Sequence, residues 1–466
     1  MKQFWKTGLA LLVLVGLGLY IWRYEWGQEV PSDEPKETIL AVDKEKVTEV
    51  AVETPDAETI RLVKGEDSWR VAAPFEAPAD GTAVDSILTR LEKLEAEEVV
   101  VETTADVAQY GLDAPGRTVS VVVEGEDAPL VVEFGNTAPG GSAIYARTPS
   151  SPRIFTVASY IESSFDKKPF DLRDRDILHV ERGDVRTLEI EGPEGHYTLA
   201  RTDAGDWAFT KPLTTRAGRW AVDGLLGTLE NLRIESVAAE PAESLKPYGL
   251  DRPKRSVHLV LSDGTTRTLE IGTPAGEEDE GKYHAREKGS SLVAVVPGAI
   301  VTDLEKGMGE LRARKLLEIA TYDTTGFDVT AGDNTRTYEK STVEGEDGLD
   351  KTQWKRTSPD EAELETTEVE DALFELSGVE IGEFVDEPAD LASYGLAAPL
   401  LRVDVRAKTD SWVELGQQAE DYYARRNADA AILKLDPAKA AELLEALEGL
   451  AELPGGDPPE ESAEGP

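Results

Sequence analysis

The string Tyr110-Gly111-Leu112-Asp113-Ala114-Pro115 returns as Tyr248-Gly249-Leu250-Asp251-Arg252-Pro253 and, weakened, as Tyr394-Gly395-Leu396-Ala397-Ala398-Pro399. Recurrence at a nearly fixed interval restricts the chain to tandem copies of one structural unit. Other landmarks keep the same register. Trp69, Trp207 and Trp354 are spaced like the tyrosines, and each is followed five residues later by a proline, Pro74, Pro212 or Pro359. Fifteen residues beyond each Trp comes Val84, Val222 or Val369, which opens a helical pattern. From there Leu88, Leu91 and Leu94, then Leu226, Leu229 and Leu232, then Leu373, Leu376 and Val379 form one apolar helix face.

Before each Trp the pattern alternates, as in Val47-Thr48-Glu49-Val50-Ala51-Val52, Thr187-Leu188-Glu189-Ile190 and Phe327-Asp328-Val329, which predicts short antiparallel strands. The Trp lies at or near the third strand, its ring set to bury against the helix. Further strands follow the Tyr-Gly-Leu motif. They carry the glycines Gly135, Gly272 and Gly416 and the strand Tyr145-Ala146-Arg147, Tyr283-His284-Ala285-Arg286 or Tyr423-Ala424-Arg425. A second helix closes each unit, around Ser159 to Phe165, Val301 to Met308 and Pro437 to Leu447. The expected fold is α+β: three repeats, each of mostly antiparallel strands with two helices, behind one N-terminal transmembrane helix. The expected divisions are an anchor at 1–29, a spacer at 30–46, repeats at 47–178, 179–317 and 318–452, and a disordered acidic tail at 453–466. An acidic insertion near Thr342 to Asp350 lengthens the third repeat.

Tyr-Gly-Leu-Asp-x-Pro has the residue types of a turn entering a strand. Gly accepts positive φ, Asp hydrogen-bonds nearby amides, and Pro fixes φ. Asp113 and Asp251 are thus expected to bond the local backbone where Ala397 cannot. Leu172-Arg173-Asp174-Arg175 and Leu311-Arg312-Ala313-Arg314 end the first two repeats and have no counterpart after the third. That asymmetry predicts a coupling segment whose arginines bridge carboxylates of the next repeat.

The anchor expectation rests on sixteen uncharged residues, Thr7 to Trp22, which as a helix span about 24 Å. Lys2 and Lys6 place the N-terminus inside, and Trp22, Tyr24 and Trp26 suit the far interface. The bulk of the chain would then be extracytoplasmic. The 92 Asp and Glu against 49 Lys and Arg give a net charge of −43, which repels nucleic acid. Salt adaptation or a cationic partner would each produce this acidity. The chain has no cysteine, which removes disulfides, thiolate ligands and thiol nucleophiles.

The Trp with its proline, the Tyr-Gly-Leu-Asp-x-Pro turn, the Tyr-Ala-Arg strand and the Leu-Arg-x-Arg segment together resemble the family of domain of unknown function 4340, DUF4340. The resemblance covers about Val47 to Leu450 and departs from the pattern in the third copy, at Ala397 and at the missing Leu-Arg-x-Arg. It implies a bacterial, membrane-anchored envelope protein, with some relatives encoded beside ABC-transporter components of the gliding-motility type. It supplies no catalytic residues.

No other pattern names an activity. Gly276 to Tyr283 has the spacing of a phosphate loop, but its acids repel phosphate and Tyr replaces the magnesium-binding hydroxyl. His179, His196, His258 and His284 are dispersed, and neither Asp171, Asp174 and Asp176 nor Asp347 and Asp350 matches a calcium loop. There is no Gly-x-Ser-x-Gly elbow. The expectation is a non-enzymatic interaction or accessory module with no catalytic, cofactor or metal residues, serving the cell envelope and an ABC-type export system. The alternative is a tethered glycan- or cation-binding protein using clefts between repeats.

Overall fold

In the computed structural model, residues 37–452 are described, apart from 105, 277–278, 320 and 345–349. The chain divides into two compact units, residues 1–175 and 176–466.

The first unit carries β1 (Val47–Glu53), β2 (Ile60–Lys64), β3 (Trp69–Ala73) and β4 (Ala77–Pro78), then α1 (Gly81–Glu92). After these come β5 (Glu98–Val101), β6 (Arg117–Val123), β7 (Leu130–Thr137), β8 (Ala143–Arg147), β9 (Ile154–Ala158) and α2 (Ser159–Ser163).

The second unit repeats the plan twice. Its first copy has β10 (Val185–Gly192), β11 (Gly195–Arg201), β12 (Trp207–Lys211), β13 (Thr215–Arg216), α3 (Arg219–Glu230), β14 (Ser236–Ala239) and β15 (Arg255–Leu261). It continues through β16 (Thr266–Pro274), β17 (Lys282–Glu287), β18 (Val293–Pro297), α4 (Ala299–Leu304) and α5 (Met308–Leu311). The second copy has β19 (Gly326–Ala331), β20 (Asn334–Glu344), β21 (Asp350–Ser358), β22 (Ala362–Leu364), α6 (Thr366–Gly378), β23 (Ile381–Val385) and β24 (Leu401–Arg406). It ends with β25 (Ser411–Gln418), β26 (Asp421–Arg426), β27 (Ile432–Leu435) and α7 (Pro437–Glu452).

Each copy forms one nine-stranded sheet in the order β4-β3-β2-β1-β6-β7-β8-β9-β5 or its equivalent. This corrects the α+β expectation: the repeat is mostly β, with few helices. The strands before the Trp and those after the Tyr-Gly-Leu turn are not two sheets. They join edge to edge through the antiparallel pairs β1–β6, β10–β15 and β19–β24. The joining strands alternate buried and half-buried positions, so each half needs the other to complete one covered face. The closing helices are uneven, α2 having only five residues and α7 sixteen.

The expected N-terminal transmembrane helix falls in residues 1–36, outside the described residues. No helix among the described residues is long and apolar enough to cross a membrane, and the anchor finds no support. The expected tail at 453–466 and residues 345–349 of the acidic insertion also fall outside the described residues. On either side of the latter, β20 and β21 pair as far as Glu344 and Asp350.

The helix faces lie where the periodicity put them. Val84, Leu88, Leu91 and Leu94 are buried, as are Val222, Leu226, Leu229 and Leu232, and Val369, Leu373, Leu376 and Val379. In the first unit these side chains join Val50, Leu62, Val119, Val121 and Phe134 from both halves of the sheet in a single core. Asp80 fixes the start of α1 by accepting the amides of Thr82 and Ala83.

Candidate functional site

The Tyr-Gly-Leu turn has the same construction in all three copies. Tyr110, Tyr248 and Tyr394 end short 3-10 turns, and Gly111, Gly249 and Gly395 follow with φ of +68°, +65° and +69°, the left-handed region that favours glycine. The next residue, Leu112, Leu250 or Leu396, is buried. A second glycine lies beneath the turn. A Cβ on Gly135 would approach the Tyr110 carbonyl oxygen to 2.2 Å, one on Gly272 the Tyr248 oxygen to 1.9 Å, and one on Gly416 the Tyr394 oxygen to 2.7 Å. The tyrosine rings meet the Tyr-Ala-Arg strand edge-on: Tyr110 with Tyr145 at 4.9 Å, Tyr248 with His284 at 5.0 Å, and Tyr394 with Tyr423 at 5.1 Å.

Two residues along, Arg147, Arg286 and Arg425 pair across the strands with Glu133, Glu270 and Glu414. Burial works to raise the Glu414 carboxyl, but hydrogen bonds from Arg425 and Arg402 outweigh it and hold the group below the usual range. The motif aspartates do not behave as expected. Asp113 and Asp251 are exposed and accept no hydrogen bond from the described residues, so the turn is held by its glycine and leucine.

The three Trp residues lie on the third strand of their repeats as expected, Trp69 and Trp207 at its start and Trp354 in its middle, but their surroundings differ. Each faces a cation across the ladder: Lys64 opposite Trp69, Arg201 opposite Trp207, and Lys340 opposite Trp354. Arg201 lies 4.7 Å from the Trp207 ring centre and Lys340 5.9 Å from that of Trp354, and both rings are buried. Trp354 also meets Phe327 edge-on at 5.7 Å. Trp69 is only half-buried, and Lys64 instead donates to the Glu45 carbonyl at 2.9 Å. The Trp69 ring borders a cleft of about 300 Å³, lined also by Lys44, Glu66, Asp67, Gly81 and Asp85. Gly81 helps to open it, since a Cβ there would meet nothing within 4 Å. At the equivalent helix start in the third repeat, Thr366 bonds the carbonyl of Thr352 on the Trp strand.

The Leu-Arg-x-Arg segments lie along sheet edges. In the first unit the Leu172 carbonyl accepts the Asp80 amide, and Arg173 bridges Ala79 beside β4. Arg173 lies over the Phe75 ring and Arg175 over Phe170. In the second unit the whole segment is seen between two repeats. Its first half lies along β13: the Leu311 carbonyl accepts from Gly218, and Ala313 donates to the Arg216 carbonyl. Its second half pairs with the third repeat, Leu316 donating to Val379 and Arg314 accepting from Ile381. Arg312 reaches Asp386 of the third repeat at 2.7 Å and stacks on Phe384, as a bridging arginine should. Arg314 does not bridge; it donates to the Gly309 carbonyl.

The lock on this joint was missed by sequence reasoning. Arg426, fully buried, binds Asp429 at 2.9 Å and donates to the carbonyls of Ala313, Lys315 and Leu316. Arg216 adds a bond to Asn427 at 2.8 Å. Burial pulls the pKa of Arg426 and Arg216 down from the usual guanidinium range, and the neighbouring Arg426 cation reinforces that for Arg216. The signal available was an extra arginine: Arg426 follows Arg425 where the other repeats have Thr148 and Glu287.

The remaining candidates do not converge. His196 pairs with Glu189 and His258 with Thr268, each locally, and His284 belongs to the Tyr248 contact. Lys282 of the phosphate-loop-like string opens β17 and is held by Glu235 and Asp279. Among the described residues, no three His, Cys, Asp or Glu are gathered as a metal ion would require. The contacts of these landmark residues join and seat segments of the sheets.

A family model described as Domain of unknown function (DUF4340) matches residues 69–217, 207–399 and 354–452. Comparison with curated proteins gives no match.

Proposed function

The chain belongs to the DUF4340 family, in which it carries three tandem copies of the domain, and we propose that it works as a non-enzymatic interaction module of the cell envelope. The observation that carries this reading is how the recurring residues are used. Tyr-Gly-Leu, the strand glycine, Trp and Leu-Arg-x-Arg are all spent on building a sheet or joining one repeat to the next. Selection for a repeated scaffold with buried joints favours a surface held in fixed register for another protein. The family resemblance supports an extracytoplasmic setting and a partner in an ABC-type export system.

The test is photo-crosslinking in cells of the native bacterium followed by purification of the full chain. An envelope or transporter protein should be recovered repeatedly; recovery of the chain alone across independent crosslinker positions sinks the reading. A second reading, a glycan- or cation-binding protein, is favoured by one observation, the half-open Trp69 cleft. That cleft is lined by the first repeat alone and not by neighbouring repeats. A saturable thermal shift with one defined sugar or polyamine, lost in Trp69→Leu, would promote it.

A further inference from the structure

The third repeat has an open sheet edge where the second holds a strand. Glu363 and Glu365 of the third repeat stand where Arg216 and Gly218 stand in the second. In the second repeat the Gly218 amide donates to Leu311 and the Arg216 carbonyl accepts from Ala313. In the first unit, Asp80 and Pro78 hold Leu172 and Asp174 in the same way. The Glu365 amide and the Glu363 carbonyl have no such partner among the described residues. β22 turns Ala362 and Leu364 into the core and leaves Glu363, which pairs with Lys355 at 3.5 Å, and Glu365 exposed. Unpaired strand edges accept an added strand, and the ladder bonds supply affinity while side-chain chemistry selects the strand.

We propose that β22 is a docking edge for an extended segment of a partner protein with the chemistry of Leu-Arg-x-Arg: an apolar residue followed by alternating arginines. The occupant is argued from the chain itself, because its own segments of that composition fill the equivalent edges. Charge supports it as well, since a basic strand suits a chain with a net charge of −43, and its first arginine would stand opposite Leu364 as Arg312 stands opposite Ala217. The incoming strand would accept from the Glu365 amide with the carbonyl of its apolar residue and donate to the Glu363 carbonyl two residues later. The inference deepens the interaction reading above, and the two fail separately. A crosslinked partner that survives loss of this edge would sink the edge and leave the interaction reading standing.

The probe is a synthetic peptide of residues 308–317 of this chain, titrated into the full chain by calorimetry. Saturable binding is expected. Glu365→Pro removes the edge donor without disturbing the backbone, because Glu365 already has φ −66°. It should weaken binding at least tenfold while leaving the unfolding midpoint unchanged. Should that variant fold poorly, the peptide arm decides: a peptide carrying Ala313→Pro lacks the N–H required by Glu363 and should bind at least tenfold more weakly to the unaltered chain. No saturable binding, or equal binding by the two peptides, overturns the proposal. A concentration-dependent dimer abolished by Glu365→Pro would assign the edge to a second copy and overturn it too.

Discussion

The second and third repeats are built on the same sheet but differ in how they end. The second closes its edge with Leu311–Ala313 and passes that strand on to its neighbour, whereas in the third the outer edge of β22 has no partner among the described residues and the repeat ends in the sixteen-residue α7. The joint therefore depends on residues from both sides. The second repeat supplies the strand, and the third supplies the side chains that lock it, Arg426 and Asp429. The joint is more than a link, because its Leu316 and Leu317 are buried in the core of the third repeat.

The largest expected effect comes from breaking the lock. Arg426→Ala would leave Asp429 buried without its cation and three carbonyls without a donor. Removing one partner of a buried, hydrogen-bonded pair costs about 3–5 kcal/mol. Urea unfolding should show that loss in the second unit while the first unit keeps its midpoint. A loss below about 1 kcal/mol would show that the repeats do not depend on the joint.

A smaller effect tests what the repeats share. Gly272→Ala drives a methyl group against the Tyr248 carbonyl, where backbone must move, and overpacking of this kind costs about 1–3 kcal/mol. Gly135→Ala should cost a comparable amount in the first unit. If either substitution is neutral, the close approach of turn to strand is not what fixes that glycine.

These cases mark what was legible in the sequence. Glycine, Trp and helix-face leucines recur because each answers a local demand, positive φ, close approach or burial, and local demands are visible at fixed spacing. The union of two strand groups into one sheet was hidden, because antiparallel pairing of β1 with β6 joins residues about 70 apart and leaves no periodic trace. The lock was hidden for the opposite reason: Arg426 and Asp429 occur once, and comparing repeats discards what only one of them has. The motif aspartate misled, since a residue type common in turns was credited with a bond it does not make.

Between the repeats one ring differs in kind: His284 occupies the place of Tyr145 and Tyr423 beside the motif tyrosine. Burial holds the His284 pKa below its ordinary value, although a hydrogen bond with the Thr273 carbonyl opposes the shift. The unfolded chain then binds the proton more readily than the folded one. The contribution of the neutral ring is present above about pH 6.5 and is lost as pH falls through that value toward the folded pKa. Thermal unfolding from pH 7.5 to 5.5 should reveal a decline that His284→Tyr reduces. An identical decline in the variant would place the titration elsewhere.

The smallest effect is expected at the residue that first looked most diagnostic. Asp113 and Asp251 are exposed, and the third repeat makes the same turn, with the same glycine φ, over Ala397. Asp113→Ala and Asp251→Ala should therefore change stability by no more than about 0.5 kcal/mol, the usual range for surface substitutions. Calorimetry of each variant beside Gly272→Ala separates the two halves of the motif: glycine and leucine hold the turn, and the aspartate is free of that duty. A loss above about 1 kcal/mol at either aspartate would restore it to the turn and make Ala397 a true weakening of the third copy. Neutrality at both would instead direct attention to solution partners of the exposed carboxylates, which crosslinking from positions 113 and 251 can detect.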